Sequence, residues 1–543
     1  MPDKTPGSES PLDPLDVIVV GAGFAGVYAV YKFRRMGFSV RAFEAGDDVG
    51  GTWFWNRYPG CRCDIESIHY SYQFDDDLQQ EWDWTERYAS QPEILSYIRH
   101  VADRFDLRRD IRFNTRVTAA GFQAAAGGTP SHWTVATDDG QTHTARFCVM
   151  ASGCLSSPNF PDIAGRDRFS GELYHTGQWP PQGVDFTGLK VGVIGTGSSG
   201  IQCIPLIAEQ AARLTVFQRT PNYAIPASNR PLEPGELQDV KSRYTELRAE
   251  AKKGIPALPV KPAGPSALAV SNEERDEIYE YSWQNNGLTF QATFADVLYD
   301  EDANRTAADF VRRKIHDIVK DQEVADLLTP KNPLGCKRLC VDTHYYRTYN
   351  RSNVTLVDVA GEPIHGIEPE GIRVGRVLHA LDAIVFATGY DAITGALLDM
   401  DLRGRGGLSL RDKWAEGPRV YLGLATHGFP NLFLVNGPGS PSVLVNMVTG
   451  LEQHVDWIAD CLVHMRDHGL DAIEAEPQHQ EAWVAHNNEV AGRSMRSSCA
   501  SWYTGANIPG KPSVFMPYVG GFPAYVEKCE QVVQAGYAGF TLS

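Results

Sequence analysis

Two stretches of this chain repeat one hydrophobic pattern: a short all-apolar run, a cluster of glycines, a helix of small and apolar residues, and a second apolar run. In the first, Asp16 to Val20 predicts a buried strand, Gly21-Ala22-Gly23 a tight turn, and Phe24 to about Gly37 a helix. Phe38 to Phe43 then predicts a strand that ends at Glu44. In the second, Leu189 to Ile194 predicts a strand running into Gly195, Gly197 and Gly200, and Leu214 to Gln218 closes the unit. Continuous apolar runs suit strands covered on both faces, as in a parallel sheet flanked by helices. The predicted class is therefore α/β, with two dinucleotide-binding (Rossmann-like) domains.

The pattern between and beyond these units sets the organisation. Gln91 to Phe105 carries Ile94, Leu95, Ile98 and Val101 at helical spacing. Ile111 to Val117, Trp133 to Thr137 and Arg146 to Met150 read as strands, the last running into a small-residue turn at Ala151. The polar tract Gln79 to Trp84 is expected to be exposed. Charged, helix-forming stretches (233–253, 272–283 and 304–328) around a Pro-Ala-Gly loop at 255–266 predict a mainly helical insert. Strands follow near Val354 to Val357 and Ala383 to Ala387, the second running into A-T-G-Y at 387–390. A buried strand opens the Gly- and Pro-rich tract 431–441, and Val448 to Arg466 reads as a long amphipathic helix. This reading splits the first domain into 1–150 and 385–543. The second domain is split into 151–230, with a connector at 166–180, and 333–384, and the insert occupies 231–332.

Composition narrows the partners. At 543 residues the chain exceeds one core. Its net charge of -17 argues against nucleic acid, because phosphate binding needs a basic face. No apolar run reaches the ~20 residues that span a membrane. The first 15 residues lack the basic and apolar regions of a secretion signal and read as a frayed tail, so a cytoplasmic location and small-molecule partners are expected. Ten cysteines include C-x-C at Cys61 and Cys63 and C-x-x-x-C at Cys336 and Cys340, neither a redox pair nor a zinc pattern. Free thiols and no metal are the expectation.

The glycine turns carry the chemistry. Gly21 permits the tight turn, Gly23 lets the backbone approach a pyrophosphate, and Gly26 lets the helix pack close to the strand. The helix N-terminus offers free N–H groups to the phosphates. Glu44, 18 residues after Gly26, is placed to accept hydrogen bonds from ribose hydroxyls. The second turn presents Gly195, Thr196, Gly197, Ser198 and Gly200, and its strand ends in Gln218-Arg219-Thr220 instead of an acid. A carboxylate there would repel a 2′-phosphate, whereas Arg219 can bind one, so the second nucleotide is expected to be NADPH. Gly50-Gly51-Thr52-Trp53, a double glycine running into bulky aromatics, suits backbone packed on a flat ligand such as a flavin. Two dinucleotides side by side imply an electron relay.

The tract Phe169-x-Gly171-x-x-x-His175-x-x-x-Trp179-Pro180, with Gly50 to Trp53, Tyr58-Pro59-Gly60 and Asp64, resembles the signatures of the type I Baeyer–Villiger monooxygenases. The resemblance covers nearly the whole chain. It implies FAD and NADPH as cofactors, with NADP+ retained during oxygenation. A C4a-peroxyflavin would attack a ketone and, through a tetrahedral adduct, give an ester or lactone. The same resemblance marks Arg338 as the catalytic arginine, Asp64 as the carboxylate that positions it, and Lys337 as a second 2′-phosphate partner. It further marks Trp502 as a residue contacting NADP and substrate, and Gly505 to Lys511 as a mobile loop that shields the peroxide. His175, on the connector, would couple domain motion; a general acid or base is the weaker assignment. S-P-S-V-L-V-N at 440–446 resembles members acting on aryl, bulky or steroid ketones, with Ser442 and Val443 in the pocket. Partners are then a small-molecule ketone and O2, with the chain a monomer or weak oligomer. Oxygenation of amines or sulfides, and a non-catalytic redox sensor, stay open as alternatives.

Overall fold

The computed structural model describes residues 15–543. The expected tail, save Leu15, lies outside them. Leu15–Val20 forms the centre of an eight-stranded sheet, hydrogen-bonded on one side to Val40–Phe43 and on the other to Thr142–Met150, both parallel. Val117–Gln123, His132–Thr137 and Thr142–Met150 form an antiparallel meander in the same sheet. Two late strands, Asp401–Arg403 and Leu432–Leu434, return to it beside Val117–Gln123 and Thr142–Met150. A second sheet is parallel throughout, in the order 354–358, 213–218, 190–194, 383–386, 172–175. The chain therefore folds as α/β with two Rossmann-like sheets, each followed by its glycine turn and helix, Phe24–Arg35 and Ser198–Gln210.

Steric room explains the glycines. A Cβ at Gly26 would stand 1.9 Å from the Gly21 carbonyl oxygen, and one at Gly200 would stand 2.3 Å from that of Gly195. Gly21 and Gly195 have φ of +102° and +107°, a region that side chains penalise. Only glycine lets each helix sit this close to its strand. The connector obeys the same rule: Gly171 lies against the Asp382 carbonyl, where a Cβ would come to 2.2 Å, as the chain enters the edge strand Glu172–His175.

The sheets meet through the loop after the first turn. Tyr58 donates its hydroxyl to Gln202 Oε1 at 2.8 Å, Gln202 Nε2 donates to the Arg62 carbonyl at 3.0 Å, and Gly60 packs on the Gln202 backbone. From the other side the buried Trp179 donates its backbone N–H to the Trp55 carbonyl.

Several local expectations need correction. The polar tract 79–84 is only half exposed: Gln80, Glu81 and Asp83 face solvent, but Asp75 caps a short helix, Asp76–Glu81, and Gln79 and Trp84 are buried, with Trp82 and Trp84 packed on Tyr97. The strand expected over 111–117 is only Ile111–Arg112; Asn114, at φ +51°, breaks it, and a new strand starts at Val117. The helical stretches of the insert are interrupted at Arg243 and again after Ile318, where Asp321 caps a fresh helix. A three-stranded antiparallel sheet over 364–380, absent from the sequence reading, covers the second sheet. The cysteines are not all free: Cys336 and Cys499 form a disulfide, while the other eight are buried thiols.

The two helix-turn glycines differ in a way that melting curves report. Gly200→Ala is expected to lower the thermal midpoint, because overpacking of this kind costs about 1–3 kcal/mol. At Gly197 a Cβ meets nothing within 4 Å, so Gly197→Ala should melt at the native temperature.

Candidate active site

Three distant pieces of chain converge on one guanidinium. Arg338 follows the insert, and its Nε donates to Asp64 Oδ2 at 2.8 Å, with Nη2 also 2.8 Å from that oxygen. Its Nη1 donates to the Val443 carbonyl at 2.8 Å. Burial alone would pull its pKa down, but the Asp64 charge and the neighbouring Tyr503 hydroxyl hold it above the ordinary arginine value. Arg338 and Val443 lie on the wall of a cavity of about 180 Å³, together with Ile65, Leu444 and Tyr503 and with residues of the insert such as Phe294. The cavity wall is mostly apolar.

Ser442 is placed differently from the expectation. Its hydroxyl donates to the Asn436 carbonyl at 3.2 Å, it sits at φ +44°, and it lies outside the cavity wall. The pocket expectation therefore narrows to Val443. Trp502 packs against Tyr503, with ring centroids 4.4 Å apart, in a cluster that includes Val443 and Met516. The loop from Gly505 to Lys511 is pinned down: Lys511 pairs with Asp391 and donates to the Ala392 carbonyl at 3.0 Å, and Asn507 donates to the Tyr390 carbonyl at 2.8 Å.

The nucleotide turns suit their ligands. Glu44 is buried, and its two carboxylate oxygens accept the backbone N–H groups of Ala22 at 2.7 Å and Gly46 at 2.8 Å. Burial raises its pKa and those backbone bonds oppose the shift. Gly51, at φ +53°, packs on Gly23 so tightly that a Cβ would approach the Gly23 Cα to 2.9 Å, which leaves bare backbone beside the first turn. The exposed Thr52 and the buried Trp53 follow at the start of a short helix. In the second unit Gly197 opens onto free space at the helix N-terminus, flanked by Thr196 and Ser198; Thr196 bonds the Thr220 carbonyl at 3.1 Å. Among the described residues, neither Arg219 nor Lys337 has an acidic partner, and the pKa of Lys337 is lowered first by burial and then by the charge of Arg219. Two neighbouring cations without an anion fit a phosphate. The residues present thus suit FAD at the first turn and NADP at the second.

His175 stands apart from the cavity. Its Nδ1 accepts the Gly177 N–H at 2.9 Å and its Nε2 lies 3.4 Å from the Thr388 hydroxyl. The ring packs between Phe160 and Tyr390, and burial depresses its pKa to about 4, so it is neutral at neutral pH. It ties the connector to the tract at 387–390.

Fold and site together define a flavoprotein of the two-dinucleotide class with a fixed cation beside an apolar cavity. Residues 18–260 match the pyridine nucleotide-disulphide oxidoreductase family. A Baeyer–Villiger monooxygenase of Pseudooceanicola batsensis is 42% identical over 98% of this chain and 96% of its own. The phenazine N-monooxygenase PhzNO1 of Lysobacter antibioticus is 40% identical over 97% of each. Among solved structures, an oxidized steroid monooxygenase bound to NADP is 51% identical and superposes with a TM-score of 0.93, covering 97% of this chain and 99% of that one. The chain belongs to the type I Baeyer–Villiger monooxygenase family and is an FAD- and NADPH-dependent enzyme of that reaction type.

Sequence reasoning missed Tyr503, the insert residues on the cavity wall and the Cys336–Cys499 bond, which joins the loop of Arg338 to the segment before Trp502 across 163 residues. Only the adjacency of Tyr503 to Trp502 signalled any of these.

Loss of the unpaired cation should appear as cofactor choice. Arg219→Ala is expected to lower the preference for NADPH over NADH by roughly tenfold to 150-fold, the value of about 1.5–3 kcal/mol for a charged hydrogen bond. The ratio of kcat/KM for the two nucleotides measures it. Gly197→Ala should weaken both nucleotides alike.

Proposed function

We propose that this enzyme oxygenates a bulky ketone, aryl or steroidal in class, in the cavity beside Arg338. The observation that carries the reading is the Arg338 guanidinium, fixed by Asp64 and the Val443 carbonyl on an apolar wall. Similarity to a steroid monooxygenase supports the substrate class. When bound, FAD and NADPH supply the oxygen transfer and the hydride.

The chain's own part is electrostatic. Inserting oxygen beside a carbonyl passes through anionic species, and arginine faces them without giving up a proton. Asp64 orients the guanidinium and Val443 uses a further N–H, so part of the donor fork is left for the developing charge. Glu44, Gly51, Thr52 and Trp53 hold the flavin nucleotide; Arg219, Thr220 and Lys337 hold the 2′-phosphate; Trp502 covers the nicotinamide side. His175 transmits motion between the domains, divided at 150, 230, 332 and, because Ala383–Phe386 pairs within the second sheet, just after that strand and not at 384. Water is kept out by the pinned loop and the apolar wall. A cytoplasmic monomer or weak oligomer completes the reading.

A second reading, oxygenation of an aromatic nitrogen, is favoured by the likeness to a phenazine N-monooxygenase. Nitrogen attack needs no cation at an oxyanion, so Arg338 separates the two. Arg338→Ala should cut ester formation roughly 100- to 1000-fold, as expected for one preorganised donor worth about 2.7–4 kcal/mol. Anaerobic reduction of the flavin by NADPH checks that the variant is loaded. Full ester turnover in the variant contradicts the role given to Arg338, and N-oxide as the only product of the native enzyme contradicts the ketone reading.

A further inference from the structure

The cavity contains a second guanidinium that the reaction does not use. Arg496 lines it together with Arg338, and no aspartate or glutamate does. The charge of Arg338 is answered by Asp64. Among the described residues Arg496 has no carboxylate partner, and its polar neighbours are the phenols of Tyr503 and Tyr299. Burial lowers its pKa, and the positive charge of Arg338 adds to that effect. Even half-buried, a cation without a counter-ion is costly, though less so than one fully removed from water. On the same wall Gln291 leaves its buried Oε1 without a hydrogen-bond partner. A cavity lined mostly by apolar and tyrosine side chains thus keeps one positive charge without a carboxylate.

The arrangement is held, not incidental. Arg496 belongs to a 3-10 turn, Met495–Ser497, that is anchored to the insert by the Met495 N–H on the Leu298 carbonyl at 2.8 Å. Three residues on, Cys499 is bonded to Cys336, two residues before Arg338. The disulfide joins two segments whose guanidinium groups repel each other across the cavity.

We propose that Arg496 is a specificity-determining residue that binds an anionic group, a carboxylate, carried on the apolar scaffold of the ketone substrate at a distance from the carbonyl. Arg338 then serves the reacting end and Arg496 the far end. A scaffold with a carboxylate satisfies the apolar wall, the free guanidinium and the charge balance of the cavity together. The inference rests on the reading of this cavity as the ketone pocket.

The test uses the flavin-loaded enzyme and a series of methyl ketones bearing a terminal carboxylate on chains of increasing length, each paired with its methyl ester. At the chain length that spans the cavity, kcat/KM should favour the acid over its ester, with the difference residing in KM. Arg496→Met should lower that acid-to-ester ratio by roughly tenfold to a hundredfold, the range for a hydrogen bond to a charged group, and Arg496→Lys should restore part of it. A wild-type enzyme that prefers the ester at every length overturns the inference, even should the variants fail to accumulate. So does an Arg496→Met variant whose ratio is unchanged, or one that weakens NADP binding in place of the acid. If no ketone of the series is oxygenated at all, the reading of the pocket itself fails, which is a different outcome from indifference to the carboxylate.

Discussion

The ion pair between Asp64 and Arg338 is the constraint around which the other parts are arranged. Its members come from the loop behind the first glycine turn and from the return of the chain after the insert, 274 residues apart. Each side chain is only about one-fifth exposed, 21% for Arg338 and 22% for Asp64. Removing one partner of a buried pair costs about 3–5 kcal/mol, and less where water still reaches the charges. The pair therefore ties the first nucleotide unit to the second beside the apolar cavity, where the proposed reaction needs a permanent positive charge. The Val443 carbonyl adds a third anchor from yet another tract, so the guanidinium is held from both sides.

Backbone proximity makes this convergence possible. Gly51 on Gly23, Gly26 on Gly21, Gly200 on Gly195 and Gly60 on Gln202 are contacts that a single methyl group would break. They bring two helix N-termini and their loops to one region without intervening side chains. The same closeness that lets pyrophosphates approach the turns thus also draws the sheets together. His175 and Trp179 extend the contact along the connector, one against the 387–390 tract and the other against the aromatic loop.

Much of this was legible in the residues because short-range sterics write themselves into sequence. A buried parallel strand must be apolar, a close helix must carry glycine at fixed offsets, and a 2′-phosphate needs a cation where an acid would otherwise stand. The α/β class and both nucleotide turns followed from such rules. Arg338 did not: taken alone it reads as a solvated charge, and only the surrounding motif pointed to it. Arg496, in S-M-R-S-S, has no such motif, and its burial depends on the insert folding over it. The pairing of Cys336 with Cys499 likewise depends on which loops the fold brings within 5.8 Å between Cα atoms. Trp84 and Gln79 are buried within an otherwise polar tract because aromatic area outweighs the neighbouring charges, a balance that residue counting does not weigh.

If Asp64 and Arg338 act as one unit, their effects on ester formation are not independent. A double-mutant cycle with Asp64→Ala, Arg338→Ala and the double variant, read as single-turnover ester yield after flavin reduction, tests this most directly. The double variant is expected to be no slower than Arg338→Ala alone, because Asp64 works through the guanidinium it holds. Losses that simply multiply would mean that the carboxylate and the cation act separately, and would contradict the account.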